Sequence, residues 1–275
     1  MRVLSKQKHR HKDSLQVQLR KSLVLYAAKY KNTWIANLPE DEKLIAIADA
    51  IWYRIKKERY CIYVILLRTP DSHLAVISPP QLIAGHECAD GWEQAFEQLP
   101  ESIKIRIIAL VCDGGTGLVA LAKKHNLIIQ RCHFHLIAAL QNYLTTGPRS
   151  ANRDYAFYVI GWAKKLLRTK NRGDLQGALK EIIAIRSQSK SKGLRRVLGG
   201  LLLHYKDFHS YLTYPNLHLP ATSNSAESFI QCIRDLMYRS RGFKNYESLL
   251  LWLSALAIFK KHIVCNGKKS TELTR

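Results

Sequence analysis

The sequence predicts an α/β fold in which a mixed sheet, with three antiparallel strands followed by two parallel ones, is flanked by helices and interrupted by an all-helical insertion. Short apolar runs alternate with helical spacing in the first half of the chain, and helical spacing alone fills residues 146–221. Polar turns separate the first three runs. With 275 residues, 47% of them hydrophobic, the chain is long enough to bury a substantial core.

The first three apolar runs predict a meander of antiparallel strands. They cover residues 44–52, 60–68 and 73–78, and a helix is expected over 90–99. The first run carries a single acid, Asp49, in its middle. Because an unpaired carboxylate is costly inside an apolar strand, Asp49 either reaches water at a sheet edge or binds a partner.

The segment 103–136 predicts a β–α–β unit. Its first apolar run ends on Asp113, glycines follow at 114, 115 and 117, and a short helix leads to a second apolar run at 127–129. Ligands and metals in open α/β sheets lie at the carboxyl ends of strands, which makes Asp113 a candidate ligand. The alternative is a turn or helix cap. The glycine loop lacks the Lys-Ser or Lys-Thr of a Walker phosphate loop.

Helices are predicted for most of the remaining chain. Helical spacing covers 151–167, 174–185 and 194–211, and residues 146–221 contain 14 Lys and Arg against 4 acids. A further helix is expected from 224 to about 240, and the apolar run 249–259 predicts a buried core helix. Glu227 lies in the first turn of the 224–240 helix, where a capping box with Asn224 is the alternative to a ligand role.

The charge of the chain is strongly positive, with 43 Lys and Arg against 21 acids and a formal net charge of +22. Such an excess favours a polyanionic partner, most commonly nucleic acid, over solubility alone. Within residues 1–32, nine basic side chains accompany one acid, Asp13. This stretch predicts a frayed terminus or an arm that binds phosphates without sequence preference, and the two are compatible.

The cysteines and the apolar runs bear on the compartment. The six cysteines are scattered without a CxxC pair, and the basic start lacks the apolar segment of a signal peptide. We therefore expect reduced thiols in the cytoplasm, with nucleoid association if the source is bacterial. The longest apolar run is too short to span a bilayer, so no membrane partner is expected.

The predicted element order matches the ribonuclease H-like fold. In that fold the first and fourth strands are central neighbours, which would bring Asp49 and Asp113 together, and a later helix would add Glu227. Two Mg²⁺ ions can serve the attacking and leaving oxygens of phosphodiester exchange, and Mg²⁺ prefers carboxylate ligands. Because close carboxylates repel one another unless cations are present, the acids predict a metal site on a DNA-binding surface.

Two segments resemble Mutator-like DDE transposases of the bacterial insertion-sequence type. QRCHFH (130–135) resembles the Cys-x-x-His motif that follows the second acid, and NSAESFIQCIRDLMYRSRGF (224–243) resembles the helix of the third acid. The acids lie 64 and then 114 residues apart, and the helical stretch between the last two fits the insertion of the family. The resemblance covers residues 44–262.

The resemblance implies metal-dependent cleavage at transposon ends and attack of the freed 3′-hydroxyl on target DNA. It implies Mg²⁺ as the metal, with Mn²⁺ as a substitute. Because a lone Cys-x-x-His supplies half of a tetrahedral zinc site, packing or positioning beside the acids is expected of that motif. The residues concerned are the metal ligands Asp49, Asp113 and Glu227, the motif residues Cys132 and His135, and the DNA-binding residues Arg131, Arg234 and Arg241.

The expected organisation is a basic segment 1–43, a core in two parts at 44–145 and 222–265, an insertion 146–221 and a tail 266–275. Double-stranded DNA, at element ends and target, is the expected partner, bound by a homodimer or larger assembly. Only 48 residues precede Asp49, where the family usually carries an end-recognition domain. A separate recognition protein, a sufficient basic arm and a truncated copy are the alternatives.

Two other functions fit the same residues. A ribonuclease H-like nuclease would use the same metals without strand transfer, and a truncated transposase remnant would only bind DNA. The basic insertion favours transposition, since strand transfer holds two DNA segments at once. The complete set of three acids argues against a remnant, whereas the short stretch before Asp49 argues for one.

Overall fold

The computed structural model describes residues 12–145 and 153–265. Within these ranges, one seven-stranded mixed sheet has the order β6-β5-β1-β2-β3-β7, with β4 paired to β2, and helices flank it. The strands are β1 Leu44–Ile55, β2 Glu58–Arg68, β3 Leu74–Ile77, β4 Gln81–Ala84, β5 Ile107–Cys112, β6 Ile128–Arg131 and β7 His262–Val264. The helices are α1 Lys12–Tyr30, α2 Ala89–Glu97, α3 Glu101–Lys104, α4 Thr116–Lys124, α5 His133–Thr145, α6 Arg153–Arg168, α7 Arg172–Gln188, α8 Lys192–Leu203, α9 Tyr205–Phe208, α10 Ser210–Thr213, α11 Asn224–Arg239 and α12 Tyr246–Lys260.

The predicted α/β class, with a mixed sheet between helices, is confirmed. Two strands were missing from the prediction, so the strand that leads to Asp113 is the fifth and not the fourth. β4 pairs with β2 just beyond the part of β2 that pairs with β3, and Pro79 and Pro80 separate the two short strands. β7 pairs with the edge strand β3. β4 and β7 lie outside the apolar runs on which the strand predictions depend.

The antiparallel β1–β2 hairpin is longer than the parallel strands beside it. β1 pairs with antiparallel β2 from Ile45 to Ile55, but with parallel β5 only from Leu44 to Ile47. β5 pairs in turn with parallel β6. Among the described residues, the second half of β1, residues 48–55, therefore has no strand neighbour on its β5 side.

Alternate residues of β1 enter two different cores, as the two-residue period of a strand requires. Ile45 and Ile47 lie in the core formed with α11 and α12, whereas Ala46 and Ala48 lie in the core formed with α2 and α4. The helices from α5 to α8 surround a third core of their own. The sheet therefore presents α11 on one face and α2 and α4 on the other.

The predicted helix over 194–211 is wrong, because α8 ends at Leu203 and two four-residue helices follow. His204 leaves helical geometry, with φ −115° and ψ 20°. The turn lets the Ser210 hydroxyl donate to the Ile129 carbonyl of β6 at 2.5 Å, and lets the Gln130 amide donate to the Phe208 carbonyl at 3.1 Å. Contacts with the sheet thus override continuous helical spacing.

The N-terminal prediction named no helix, but α1 occupies Lys12–Tyr30 and packs against α12. Most of its side chains are exposed. The rest of the basic arm, the beginning of the predicted insertion and the predicted tail lie outside the described residues. Within the described ranges, no helix is long and apolar enough to cross a membrane.

Candidate active site

Asp49 lies on β1, and Asp113 directly follows the neighbouring parallel strand β5. Ile47 is paired with Val111, so continuing this register by two residues brings Asp49 opposite Asp113, which directly follows β5. Side chains two residues apart lie on the same face of a strand. Both carboxyl groups therefore lie on the face of Ile47 and Val111, which α11 covers.

Glu227 approaches these two acids from α11. Ala226, Phe229 and Ile230 are buried in the core against β1, and they fix the first turns of the helix on the sheet. Glu227 lies beside this stripe and is half-buried. The carboxylates of Asp113 and Glu227 both act electrostatically on Asp49, so the structure brings the three predicted acids to one end of the sheet.

The capping-box alternative for Glu227 is wrong. The N-cap of α11 is Ser223, one residue before the predicted cap, and no side chain caps the helix. The Ser223 backbone N–H donates to Cys132 Sγ at 3.3 Å. Since no hydrogen bond between Glu227 and the Asn224 amide exists in the described part of the chain, the Glu227 carboxylate remains available to another partner.

The three acids have no Lys or Arg partner in the described part of this strongly basic protein. Among the described residues, none of them forms an ion pair with Lys or Arg. Asp49 Oδ1 accepts the Ala50 N–H at 2.8 Å, and Asp113 Oδ1 accepts the Gly115 N–H at 2.7 Å. These bonds orient the two carboxyl groups and leave the second oxygen of each without a donor among the described residues. Carboxylate oxygens of this kind are the ligands that Mg²⁺ prefers.

Burial raises the pKa of Asp49 from 3.8 to about 6. The Ala50 N–H and His135 act in the opposite direction, and the charges of Asp113 and Glu227 raise the pKa further. A half-buried carboxyl group beside two other acids is therefore poorly stabilised as an anion by the protein alone. A divalent cation would supply the missing stabilisation.

Replacing Asp49 by Asn is expected to stabilise the metal-free protein above about pH 6. Because folding raises the pKa of Asp49 from 3.8 to about 6, ionised Asp49 opposes folding. This destabilisation is absent below pH 3.8, grows as the pH rises from 3.8 to about 6, and is constant above about pH 6. At about 1.4 kcal/mol per unit, the free energy of unfolding should rise by on the order of 2–3 kcal/mol.

Urea unfolding in the presence of a chelator measures this effect. Asp49→Asn should stabilise the protein at about pH 8 and leave it nearly unchanged at about pH 3.5, where both states are protonated. An equal gain at both pH values would show that the carboxyl charge is not its source.

The Cys-x-x-His motif joins β6 to the beginning of α11. Cys132 is buried, and its backbone N–H donates to the Cys112 carbonyl at 2.7 Å. His133 N–H donates to the Ala221 carbonyl at 2.9 Å, two residues before Ser223. Together with the bond from Ser223 to Cys132 Sγ, these contacts fix the segment that places Glu227. Ser223 escaped prediction because its backbone makes the contact, and a backbone role leaves no signal in residue type.

His135 supplies positive charge close to the acids. The Cys132 thiol raises the pKa of His135 to about 9 against the effect of burial, and Asp49 and Asp113 contribute in the same direction. Burial would raise the pKa of Cys132, but His135 and Ser223 outweigh it and lower that pKa. A side-chain hydrogen bond with Cys132 is the main cause of the raised pKa of His135, whereas the Nδ1 atom of His135 has no hydrogen-bond partner in the described chain.

The three predicted DNA-binding arginines differ in their surroundings. Arg131 Nε lies 3.3 Å from Asp207 Oδ2, and its guanidinium packs against Gly114 in the loop after Asp113. Gly114 has φ +85°, and a Cβ there would collide with Arg131, so only glycine suits the position. Arg131 thus supports the loop of Asp113. Arg234 and Arg241 are exposed, and their DNA binding stays a prediction.

A second group of ligand-type side chains lies on α2 and at the end of α4. Glu93, Glu97 and His125 are the only three such residues in the described ranges whose ligand atoms all lie within 4.8 Å of one another. Lys124 already pairs with Glu93 at 2.6 Å, and Lys104 pairs with Glu97 at 2.5 Å. This group is therefore an ion-pair network between helices. The ligand atoms of the three predicted acids are not all within 4.8 Å of one another, which is wider than the ligands of a single ion. A two-metal site, in which the ions lie about 3.5–4 Å apart, accommodates the wider spacing.

No protein-family model matches this chain, and no curated protein matches it. The functional assignment therefore depends on the geometry of the three acids, on the charge of the chain and on the two motifs of the sequence.

Proposed function

We propose that the protein is a Mutator-like DDE transposase, which cleaves DNA at transposon ends in a metal-dependent reaction and joins the freed 3′-hydroxyl to target DNA. The approach of Asp113 and Glu227 to Asp49, without Lys or Arg partners in the described chain, carries the proposal. The place of β1 between antiparallel β2 and parallel β5 supports a ribonuclease H-like core.

The donor set fits Mg²⁺ or Mn²⁺, because it consists of carboxylates with oxygens that accept from no donor in the described chain. In this proposal Asp49, Asp113 and Glu227 hold the metal, which when bound activates the attacking hydroxyl and stabilises the leaving oxygen. The amides of Ala50 and Gly115 orient the first two carboxylates. His135 favours the ionised form of Asp49, the form in which a carboxylate binds metal.

The charge of the chain supports double-stranded DNA as the partner. Arg234 and Arg241 are exposed on and just after α11, the helix that begins at the acids. The excess of basic residues in the helical insertion, 14 against 4 acids over 146–221, offers further phosphate contacts. In the proposal a homodimer or larger assembly holds the element ends and the target.

DNA affinity should fall steeply with salt, because Lys and Arg release counterions from the phosphates they bind. If at least about six phosphates are neutralised, affinity should fall on the order of a thousandfold between about 50 and 200 mM salt. Fluorescence anisotropy with a labelled duplex measures the slope. Arg234→Ala combined with Arg241→Ala should reduce the slope by about two.

Lys124→Ala is the matched control for the salt experiment, because Glu93 already compensates the charge of Lys124. This variant should retain the slope of the native protein. A native affinity that is insensitive to salt would contradict an electrostatic DNA surface.

Incubation with labelled DNA and Mg²⁺ tests the proposed function. The substrate is the coding sequence with its natural flanking DNA, where transposon ends would lie, mixed with a target plasmid. Cut and joined products support a transposase. Cut products without joining would identify a nuclease, and binding without cutting would identify a remnant that only binds DNA.

A further inference from the structure

A small cavity lies next to the candidate active site, on the opposite face of the β1–β2 hairpin. Its volume is about 220 Å³. Its lining includes an aromatic ring, a guanidinium, an imidazole, a carboxylate and two small apolar groups. These belong to Trp52, Arg59, His86, Glu87, Ala50 and Cys61.

Trp52 lines one side of this cavity and is unusually accessible for a tryptophan in a sheet. It lies on β1, as Asp49 does, but its side chain is 63% exposed. β5 ends before it reaches this part of β1, so no neighbouring strand shields the ring on that side among the described residues. Cys61 is directly opposite Trp52 on β2, and the Arg59 guanidinium lies 5.4 Å from the centroid of the Trp52 ring. An aromatic surface is thus held next to a cation and open to solvent.

Hydrogen bonds within the protein hold the polar side chains of the cavity in place. Arg59 Nη1 lies 2.8 Å from His86 Nδ1, and Glu87 Oε1 accepts the Trp92 indole N–H at 2.8 Å. The Tyr63 hydroxyl accepts the Cys88 N–H at 3.3 Å and holds the loop that carries His86 and Glu87. The wall therefore offers hydrogen-bond donors from Arg59 and an acceptor from the second carboxylate oxygen of Glu87.

The cavity and the acids share one border, the free edge of β1. Ala50 lines the cavity, and its backbone N–H donates to Asp49. On the neighbouring side, Gly117 packs against the backbone of Cys88 and Ala89, where an added Cβ would lie 3.1 Å away. The first turn of α4, which follows the loop of Asp113, is thus beside the loop of His86 and Glu87. A DNA strand held at the acids reaches the cavity if it crosses this edge, because Ala50 lines the cavity and Asp49 is the residue before it.

We propose that one unstacked nucleobase of the bound DNA occupies this cavity, with its ring against Trp52 and its polar edge toward Arg59 and Glu87. Every base has a face that stacks on an aromatic ring and an edge that donates and accepts hydrogen bonds. Arg54, Lys56 and Lys57, at the tip of the same hairpin, attract the adjoining phosphates. This inference rests on the proposed function, since it assumes DNA at the acids.

The test compares two labelled oligomers of equal length and charge, octathymidylate and its fully abasic counterpart, bound to the full chain in the presence of a chelator. The native protein should prefer octathymidylate by at least about tenfold. Trp52→Ala should remove most of this preference and leave the affinity for the abasic oligomer unchanged, and Trp52→Phe should retain it. Tyr238→Ala is the matched control, because Tyr238 is 86% exposed but lies outside the cavity.

A second measurement uses the native protein, so that it does not depend on the folding of a variant. Octathymidylate with one 5-iodouracil should cross-link under ultraviolet light to Trp52 or His86. An unchanged base preference in Trp52→Ala, an equal loss of affinity for both oligomers, or cross-links confined to other regions would overturn the inference.

The outcomes separate this inference from the proposed function, because neither measurement needs cleavage. A protein that binds the base through Trp52 but never cuts DNA would overturn only the transposase proposal. A protein that cuts and joins DNA but shows no base preference at Trp52 would overturn only the nucleobase site.

Discussion

Asp49→Asn and Asp113→Asn should each reduce Mg²⁺-dependent DNA cleavage by at least about a thousandfold, because each removes a charge that holds the metal. DNA affinity should stay equal or increase, since a carboxylate that repels phosphate is lost. Gel electrophoresis of labelled DNA measures cleavage, and anisotropy measures binding. As a readout independent of activity, Mg²⁺ should raise the melting temperature of the native protein more than that of either variant.

Asp235→Asn is the matched control for these two variants. Asp235 is an exposed acid on α11 that accepts a hydrogen bond from Gln231 at 2.9 Å. The Asp235→Asn variant should cleave DNA at the rate of the native protein. Full activity in Asp49→Asn or Asp113→Asn would remove that residue from the site.

Glu227→Gln should lose cleavage to a similar extent and melt like a protein with an intact helix. Gln has the size of Glu but lacks the charge that binds Mg²⁺. The side chain of Glu227 makes no capping bond in the described chain, so no cap of about 1 kcal/mol is lost. Thermal unfolding and the cleavage assay, run on one preparation, measure both consequences.

Glu247→Gln provides the comparison for stability. Glu247 is the acid in the first turn of α12, as Glu227 is in the first turn of α11. Both substitutions forgo a helix-dipole interaction of about 0.3–1 kcal/mol, but Glu227→Gln also removes a charge that repels Asp49. Glu227→Gln should therefore melt no lower than Glu247→Gln, while only Glu227→Gln loses cleavage. An active Glu227→Gln protein would move the third ligand elsewhere, with Asp235 as the nearest acid to test.

Much of the candidate site could be predicted from local patterns. Asp49 lies on β1 and Asp113 directly follows β5, and the structure pairs these two strands in parallel. α11 begins at Asn224 as predicted and ends one residue earlier, because its buried stripe of Phe229, Ile230 and Ile233 has a strong helical period. Sequence alone could not show that Glu227 lacks a capping partner, since Asn224 and Glu227 have the spacing of a capping box.

The elements that escaped prediction are those that tertiary contacts decide. The helix over 194–211 breaks after Leu203 because Phe208 and Ser210 bond to β6, although the apolar spacing continues through the break. The apolar residues of α1 are spread around the helix instead of forming one stripe, and Leu25 is 71% exposed. The cavity at Trp52 is assembled by strand register and by the loop of His86, which are far apart in sequence.

The unpaired half of β1 also bears on the solubility of the protein. A bare strand edge exposes backbone N–H and C=O groups that can pair with the edge of another molecule and begin aggregation. Residues 48–55 present such an edge in the described structure. The tip of the same hairpin carries Arg54, Lys56 and Lys57, and all three are exposed. Two copies that approach edge to edge therefore bring like charges together, so the same side chains that suit phosphate also keep this edge from joining another sheet.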